Sequence, residues 1–159
     1  MNVLFIHPHG SNWMPGMQDI TTIFNVMPPL GILSIAAWLE KHRVPVQIID
    51  CYATPLTQQE LVDEVQRRKP DVVAFSCTTS SFLEGNRIAE AIKAADSGII
   101  TVFGGAHACT MGAPLLDRFP AIDCLVLGEG EQTMLELVQA GFQGLGNIQI
   151  GRASCRERV

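Results

Sequence analysis

The sequence has no Cys-x-x-Cys pair, no excess of positive charge and no long apolar run, and each absence removes a class of function. Without paired cysteines there is no structural zinc site to expect. The five cysteines are odd in number and lack small-scaffold spacing, so they fit a reducing cytoplasm better than a disulfide framework. A formal charge of −5 with no basic stripe argues against a nucleic-acid partner. No apolar run approaches the length of a membrane span, and the N-terminus lacks a signal-peptide pattern. Also missing are G-x-G-x-x-G, the phosphate loop and the G-x-S-x-G elbow, which weakens nicotinamide, nucleotide-triphosphate and hydrolase readings. Where a phospho-receiver needs an Asp at the end of its first strand, this chain has His7.

What is present is apolar and aliphatic. Hydrophobic residues make up 47%, aromatics 6% and charged residues 17%, with Ile, Val, Leu and Ala dominant. That composition suits buried parallel strands covered by helices. The length is that of one domain with a sizeable core.

Five β-rich runs alternate with helical patterns. The strands are expected over Asn2–His7, Val44–Asp50, Asp71–Ser76, Ile99–Gly105 and Asp123–Gly128. The first helix, Pro29–His42, reads as largely buried, with Leu30, Leu33, Ile35, Ala37 and Trp38 as its apolar residues. Thr57–Lys69 opens with a capping box, Thr57 with Glu60, and carries a stripe of Leu61, Val62 and Val65. Further helices are expected over Phe82–Ala95, Pro114–Arg118 and Glu131–Ala140. Strands separated by helices imply parallel pairing with right-handed crossovers, hence a doubly wound five-stranded α/β sheet of the Rossmann-like, flavodoxin-like kind. Its expected order is 2-1-3-4-5.

The segment after Gly146 does not fit this pattern. Ile150–Val159 is basic, has no hydrophobic period, and is what ATC GGA AGA GCG TCG TGT AGG GAA AGA GTG would encode. That string resembles a common sequencing adapter read through as coding sequence, so residues 150–159 are set apart as an artefact. On this reading residues 147–149 mark the boundary of the native frame, and the chain is a fragment.

In doubly wound sheets ligands sit beyond the carboxyl ends of the strands. Four loops lie there: His7–Pro28, Ser76–Ser81, Gly104–Thr110 and Gly128–Thr133. Ser76, Thr78, Thr79, Ser80 and Ser81 can line a cavity with small hydroxyls, or cap the following helix through Ser80 or Ser81. Gly104 and Gly105 allow a large ligand close to backbone, and His107 is the titratable group of that loop. His7 and His9 have a spacing that reaches one metal, but no further ligand accompanies them. Gly128 and Gly130 frame a strand-to-helix turn, and Glu129 and Glu131 would compete with any anion there.

Together, "PPLGILSIAAWLEKHRVPVQIID", "KPDVVAFSCTTS", "VFGGAHACT" and "DCLVLGEGEQTMLELV" resemble the N-terminal cobalamin-binding domain of cobalamin-dependent radical SAM enzymes. The resemblance covers about Met1 to Ala140 and implies a cobalamin-binding Rossmann-like domain over residues 1–146. It implies a missing radical SAM domain in cis, which would carry SAM and a [4Fe–4S] cluster on C-x-x-x-C-x-x-C. Parents of this kind include methyltransferases, cyclases and ring-contracting enzymes. By position, Ser76 and Thr78 fall at the S-x-L element near the dimethylbenzimidazole, and Gly104 and Gly105 match the GG element that passes the nucleotide tail. Thr79, His107, Gly128, Glu129 and Gly130 complete the implied cofactor-binding set. The D-x-H-x-x-G motif of other cobalamin domains is absent. His9 keeps its histidine and is the one protein group to weigh as a cobalt ligand, although this branch commonly binds cobalt without one. No cluster motif is present, so no catalytic residue is assigned to this polypeptide. The other reading is a free-standing flavodoxin-like regulatory or interaction module.

Overall fold

The structure is a computed structural model, and it describes residues 1–10, 28–142 and 153–155. Five short strands, β1 (Val3–His7), β2 (Val46–Asp50), β3 (Val72–Ser76), β4 (Ile100–Gly104) and β5 (Cys124–Val126), pair in parallel. Between them run α1 (Leu30–Lys41), α2 (Gln58–Arg68), α3 (Phe82–Ala95), α4 (Ala106–Met111) and α5 (Pro114–Arg118), with α6 (Glu131–Gln139) after β5. The sheet order is β2-β1-β3-β4-β5-β6, so the expected 2-1-3-4-5 order is found.

The strands alternate in the two-residue period that puts successive side chains on opposite faces. Leu4, Ile6, Val73, Phe75 and Phe103 pack against α2, α3, α4 and α5. Val3, Phe5, Ala74, Val102 and Val126 pack against α1 and α6. Both faces of the sheet are therefore covered, which is why its strands are nearly continuous apolar runs.

Helix α2 starts as its sequence predicts. The Thr57 backbone N–H donates to Glu60 Oε2 at 2.8 Å, and the Glu60 N–H donates to Thr57 Oγ1 at 3.3 Å. Its buried residues are Leu61, Val62 and Val65. Lys69 ends it in the left-handed region (φ 49°).

Four expectations are corrected. The sheet has six strands, because β6 (Ala153–Cys155) adds antiparallel to β5. These residues fall in the segment set apart above; a bare strand edge pairs through backbone groups and needs no side-chain pattern. Cys155 of that strand is disulfide-bonded to Cys124, contrary to a chain of free thiols. Helix α1 buries Ile32, Ala36 and Leu39, while Leu30 and Leu33 are exposed, so the apolar stripe sits elsewhere on the helix than expected. Spacing by four and three residues puts 32, 36 and 39 on one face. Finally, the stretch after Gly105 is not an open loop but the short helix α4.

Candidate functional site

The carboxyl ends of β3, β4 and β5 carry small residues, and this opens the fold there. Ser76 and Gly104 are paired in register and lie on the face covered by α1 and α6. A Cβ on Gly104 would stand 3.4 Å from the Val126 carbonyl oxygen, so glycine keeps the strand end flat and open. Beyond it Gly105 has φ 89°, a conformation L side chains rarely adopt. Its Cβ would lie 2.7 Å from the Cys77 carbonyl oxygen and 2.8 Å from the Cys77 nitrogen. The chain thus turns tightly over the end of β3, held by Cys77 N–H donating to the Gly104 carbonyl at 3.0 Å.

These residues border a small cleft of about 50 Å³ between the sheet and helices α1 and α6. Ser76, Gly104, Gly105, Gly128 and Gly130 all line it. Five of the residues expected at the site therefore meet at one place. The apolar walls come from Ile32 and Ile35 of α1, Val102, Val126, and Met134 of α6. Gly130 lets α1 approach, since a Cβ there would be 2.5 Å from Ile35 Cδ1. Sequence reasoning missed these walls, because Ile35 and Met134 look like any other core residue of a helix.

Charge at the turn follows from the helix it opens. Glu131 is the first residue of α6, where a carboxylate is favoured by the helix dipole. Ser34 Oγ donates to Glu131 Oε1 at 2.6 Å and clasps the start of α1 to the start of α6. That hydrogen bond, with help from the backbone N–H groups of the first turn, holds the Glu131 carboxyl below its ordinary value. Glu129 is exposed, and its carbonyl accepts from Thr133 Oγ1 at 3.4 Å. The Gly128 N–H donates to Cys109 Sγ at 3.1 Å, tying this turn to α4.

The remaining expected residues lie apart from the cleft lining. Thr78 and Thr79 are exposed in the loop after β3. Thr78 Oγ1 is 2.9 Å from Ser80 Oγ, and the Thr78 N–H donates to Ser81 Oγ at 3.1 Å. Ser81 is the N-cap residue of α3, but its side chain makes no cap bond. His107 packs on Phe82 at 4.2 Å between ring centroids, with Nδ1 3.2 Å from Thr79 Oγ1. Burial pushes its imidazole below the ordinary value. Burial also raises the Cys51 thiol to about 11 and the Cys77 thiol to about 12, so neither supplies a thiolate.

After β1, the His9 ring lies tilted beside Tyr52 at 4.8 Å between centroids, and His7 Nδ1 lies 3.0 Å from Asp50 Oδ1. Among the described residues no group of three or more His, Cys, Asp and Glu is placed to hold a metal ion. Residues 11–27 of the first loop lie outside the described residues. No helix among the described residues is long and apolar enough to cross a membrane.

Comparison with known proteins identifies the family and the fold. The family model described as "B12 binding domain" matches residues 19–138. The anaerobic magnesium-protoporphyrin IX monomethyl ester cyclase of Rubrivivax gelatinosus is 33% identical over 145 residues, covering 91% of this chain and 25% of the cyclase. Cytidylyl-2-hydroxyethylphosphonate methyltransferase of Streptomyces wedmorensis is 32% identical over 127 residues, covering 67% of this chain and 23% of its own length. Among solved structures, the cobalamin-dependent S-adenosylmethionine radical enzyme OxsB with aqua-cobalamin bound superposes with a TM-score of 0.73 at 16% identity. That match covers 99% of this chain and 22% of OxsB. The radical S-adenosylmethionine methyltransferase TsrM from Kitasatospora setae gives a TM-score of 0.68 at 22% identity, over 91% of this chain and 25% of TsrM. The chain spans about a quarter of the length of the curated relatives named above.

Proposed function

Because this chain belongs to the B12 binding domain family, we propose that its cleft at the carboxyl ends of β3, β4 and β5 receives the nucleotide tail of cobalamin. We further propose that the chain serves a radical SAM domain in cis, in a methyltransferase or cyclase. The observation that carries the site assignment is the convergence of Ser76, Gly104, Gly105, Gly128 and Gly130 on one lining.

The lining is chemically suited to the tail's apolar base, while the cleft's volume of about 50 Å³ admits only part of it. At Gly104 a Cβ would stand on the cleft side of the strand end, close to Val126, where the tail passes the backbone. Ser76 offers a hydroxyl that donates or accepts without bulk. Ile35 and Met134 wall the cleft with apolar side chains. The clasp from Ser34 to Glu131 fixes α1 against α6, so the two helices bound the cleft as a unit. The acids are tolerated because Glu131 is spent on its own helix and on Ser34, while Glu129 faces solvent. Bound cobalt supplies methyl transfer or supports a radical step; positioning and shielding are the protein's share. Thr78, Thr79 and His107 stand outside this lining, and we assign them to the surface that meets the corrin ring or the partner domain. His9 is not assigned to cobalt, since it packs beside Tyr52.

We also propose a cytoplasmic setting, which the free thiols Cys51, Cys77 and Cys109 among the described residues favour and the Cys124–Cys155 disulfide opposes. The net charge of −5 supports a protein without a nucleic-acid partner. Two experiments test the proposal. Reading the gene past Asn147 should show a downstream C-x-x-x-C-x-x-C; a stop codon following Val159 would instead favour a free-standing module. Gly104→Leu, which fills the cleft from its floor, should lower retention of hydroxocobalamin by about tenfold or more, as expected from loss of a ligand group's worth of apolar burial. Unchanged retention by a folded variant would refute the placement.

A further inference from the structure

Helix α1 carries more apolar surface than the core uses. Its buried stripe is Ile32, Ala36 and Leu39. Leu30, Leu33 and Ala37 form a second stripe by three- and four-residue steps, and all three are exposed. Leu30 is 72% exposed and Leu33 40%. Leu33 and Ala37 line a groove of about 420 Å³ together with Val46 and Ile48 of β2 and one charged residue, Glu40. We propose that this groove and the β2 edge beside it form a two-fold interface with a second copy of the chain. The two β2 strands pair antiparallel about Ile48, and the contact does not depend on the cofactor assignment.

The first observation is the state of the strand edge. β2 closes one side of the sheet and has only β1 beside it among the described residues. Val3 N–H donates to the Pro45 carbonyl, and Cys51 N–H to the His7 carbonyl, each at 3.0 Å. Odd-numbered residues of β2 therefore bond to β1, and the N–H groups of Val46, Ile48 and Asp50 point away from it. The usual guards against edge pairing are missing. The strand holds no Lys and no Pro, and its five residues pair with β1 in unbroken register, without a bulge. On the α2 face Arg68 Nη1 donates to Gln47 Oε1 at 2.9 Å, and Arg68 is paired with Glu64, so its charge is already held by an acid. Val46 and Ile48 are only half-buried on the α1 face, where the groove leaves them uncovered.

The second observation is charge, which favours a copy of the same strand in the antiparallel sense. Lys41 and Arg43, both exposed, precede β2 at one end, and Asp50 closes it at the other. Pairing about Ile48 sets Val46 opposite the partner's Asp50, so each basic end meets an acidic one. Parallel pairing would set like ends together. Glu40 is carried toward the start of the partner's α1, which has no acid in its first turn and no side-chain cap. A carboxylate is favoured at such a helix start.

The test is sedimentation velocity of the 159-residue chain over a concentration series reaching about 500 µM. A monomer–dimer equilibrium in the micromolar range is expected, with no larger species, because a two-fold contact closes on itself. Leu33→Glu puts a charge into the groove from both copies and should weaken the dimer about tenfold or more. Arg43→Glu removes the complementary charge and should weaken it more at low salt than at high salt. Leu83→Glu is the control: Leu83 is 46% exposed at the start of α3, on the other face of the sheet, and its variant should dimerise as the parent does. Circular dichroism establishes that each variant is folded, and if Leu33→Glu is not, Arg43→Glu decides alone. A dimer that both groove variants leave intact, or that Leu83→Glu weakens equally, overturns the proposal. So does a chain that stays monomeric, which leaves the groove to another occupant such as a further domain of a longer product.

Discussion

Gly105→Ala is the substitution whose cost the structure specifies most closely. The residue has φ 89° and ψ −175°, a region open to glycine and hardly to other residues. An added Cβ would also lie 2.7 Å from the Cys77 carbonyl oxygen, 2.8 Å from its nitrogen and 3.0 Å from Ser76 Oγ. Those backbone atoms cannot retreat freely. Cys77 N–H donates to the Gly104 carbonyl at 3.0 Å, and the Cys77 carbonyl accepts from His107 N–H at 3.1 Å. Backbone strain and the clash together set a loss of about 2–4 kcal/mol. For a domain of this size that lowers Tm by about 5–12 °C. Gly112→Ala is the control, because Gly112 also has positive φ (64°) but a Cβ there meets nothing within 4 Å. It should lose only the strain, about 1–2 kcal/mol. Thermal unfolding followed by circular dichroism, with both variants and the parent in one redox buffer, measures the difference. If Gly105→Ala melts no lower than Gly112→Ala, the tight turn over β3 is not real and the reasoning fails.

Other consequences are smaller. Ser34→Ala removes the main cause of the depressed Glu131 carboxyl, and the sign of its pH dependence follows. A carboxyl lowered in the folded state stabilises above its unfolded value, and that contribution is lost as pH falls through the folded one. The variant should therefore melt lower at pH 7, by no more than about 1 kcal/mol for so exposed a pair, and approach the parent as pH falls through the lowered Glu131 value. A deficit that persists in acid would assign the effect to packing instead. Deleting residues 150–159 should leave hydroxocobalamin retention unchanged, since none of the described residues lining the cleft comes from that segment. It should also bare the edge of β5 and increase self-association in sizing chromatography. A loss of retention would place the segment in the binding unit.

Much of the fold is legible in the residues. The capping box at Thr57 and the stripe at Leu61, Val62 and Val65 announce α2 because a polar helix has only one apolar face to bury. The start of α5 follows from Pro114 at the head of its helix, whereas Ser81 precedes α3 without capping it through its side chain. Helix α1 is apolar on more than one side, so periodicity does not choose its buried face, and Leu30 at 72% exposed shows the error. Helix α4 is six residues long with a glycine as its N-cap and no side-chain cap, too short for a period and without a start signal. Strand β6 has three residues and no pattern to read. At the site the glycines were readable, because a glycine at a strand end implies close approach or an unusual turn. The walls were not. Ile35 and Met134 become part of a cleft only when α1 and α6 lie side by side, which no local pattern in either helix reveals.

The most direct test of the central claim is whether the purified chain holds cobalamin. The chain is equilibrated with hydroxocobalamin, desalted, and its visible spectrum recorded against the free corrinoid. The account predicts retained corrinoid with a shifted spectrum, close to one equivalent per chain. A folded chain that emerges colourless, while a longer product of the same gene does the same, would contradict it.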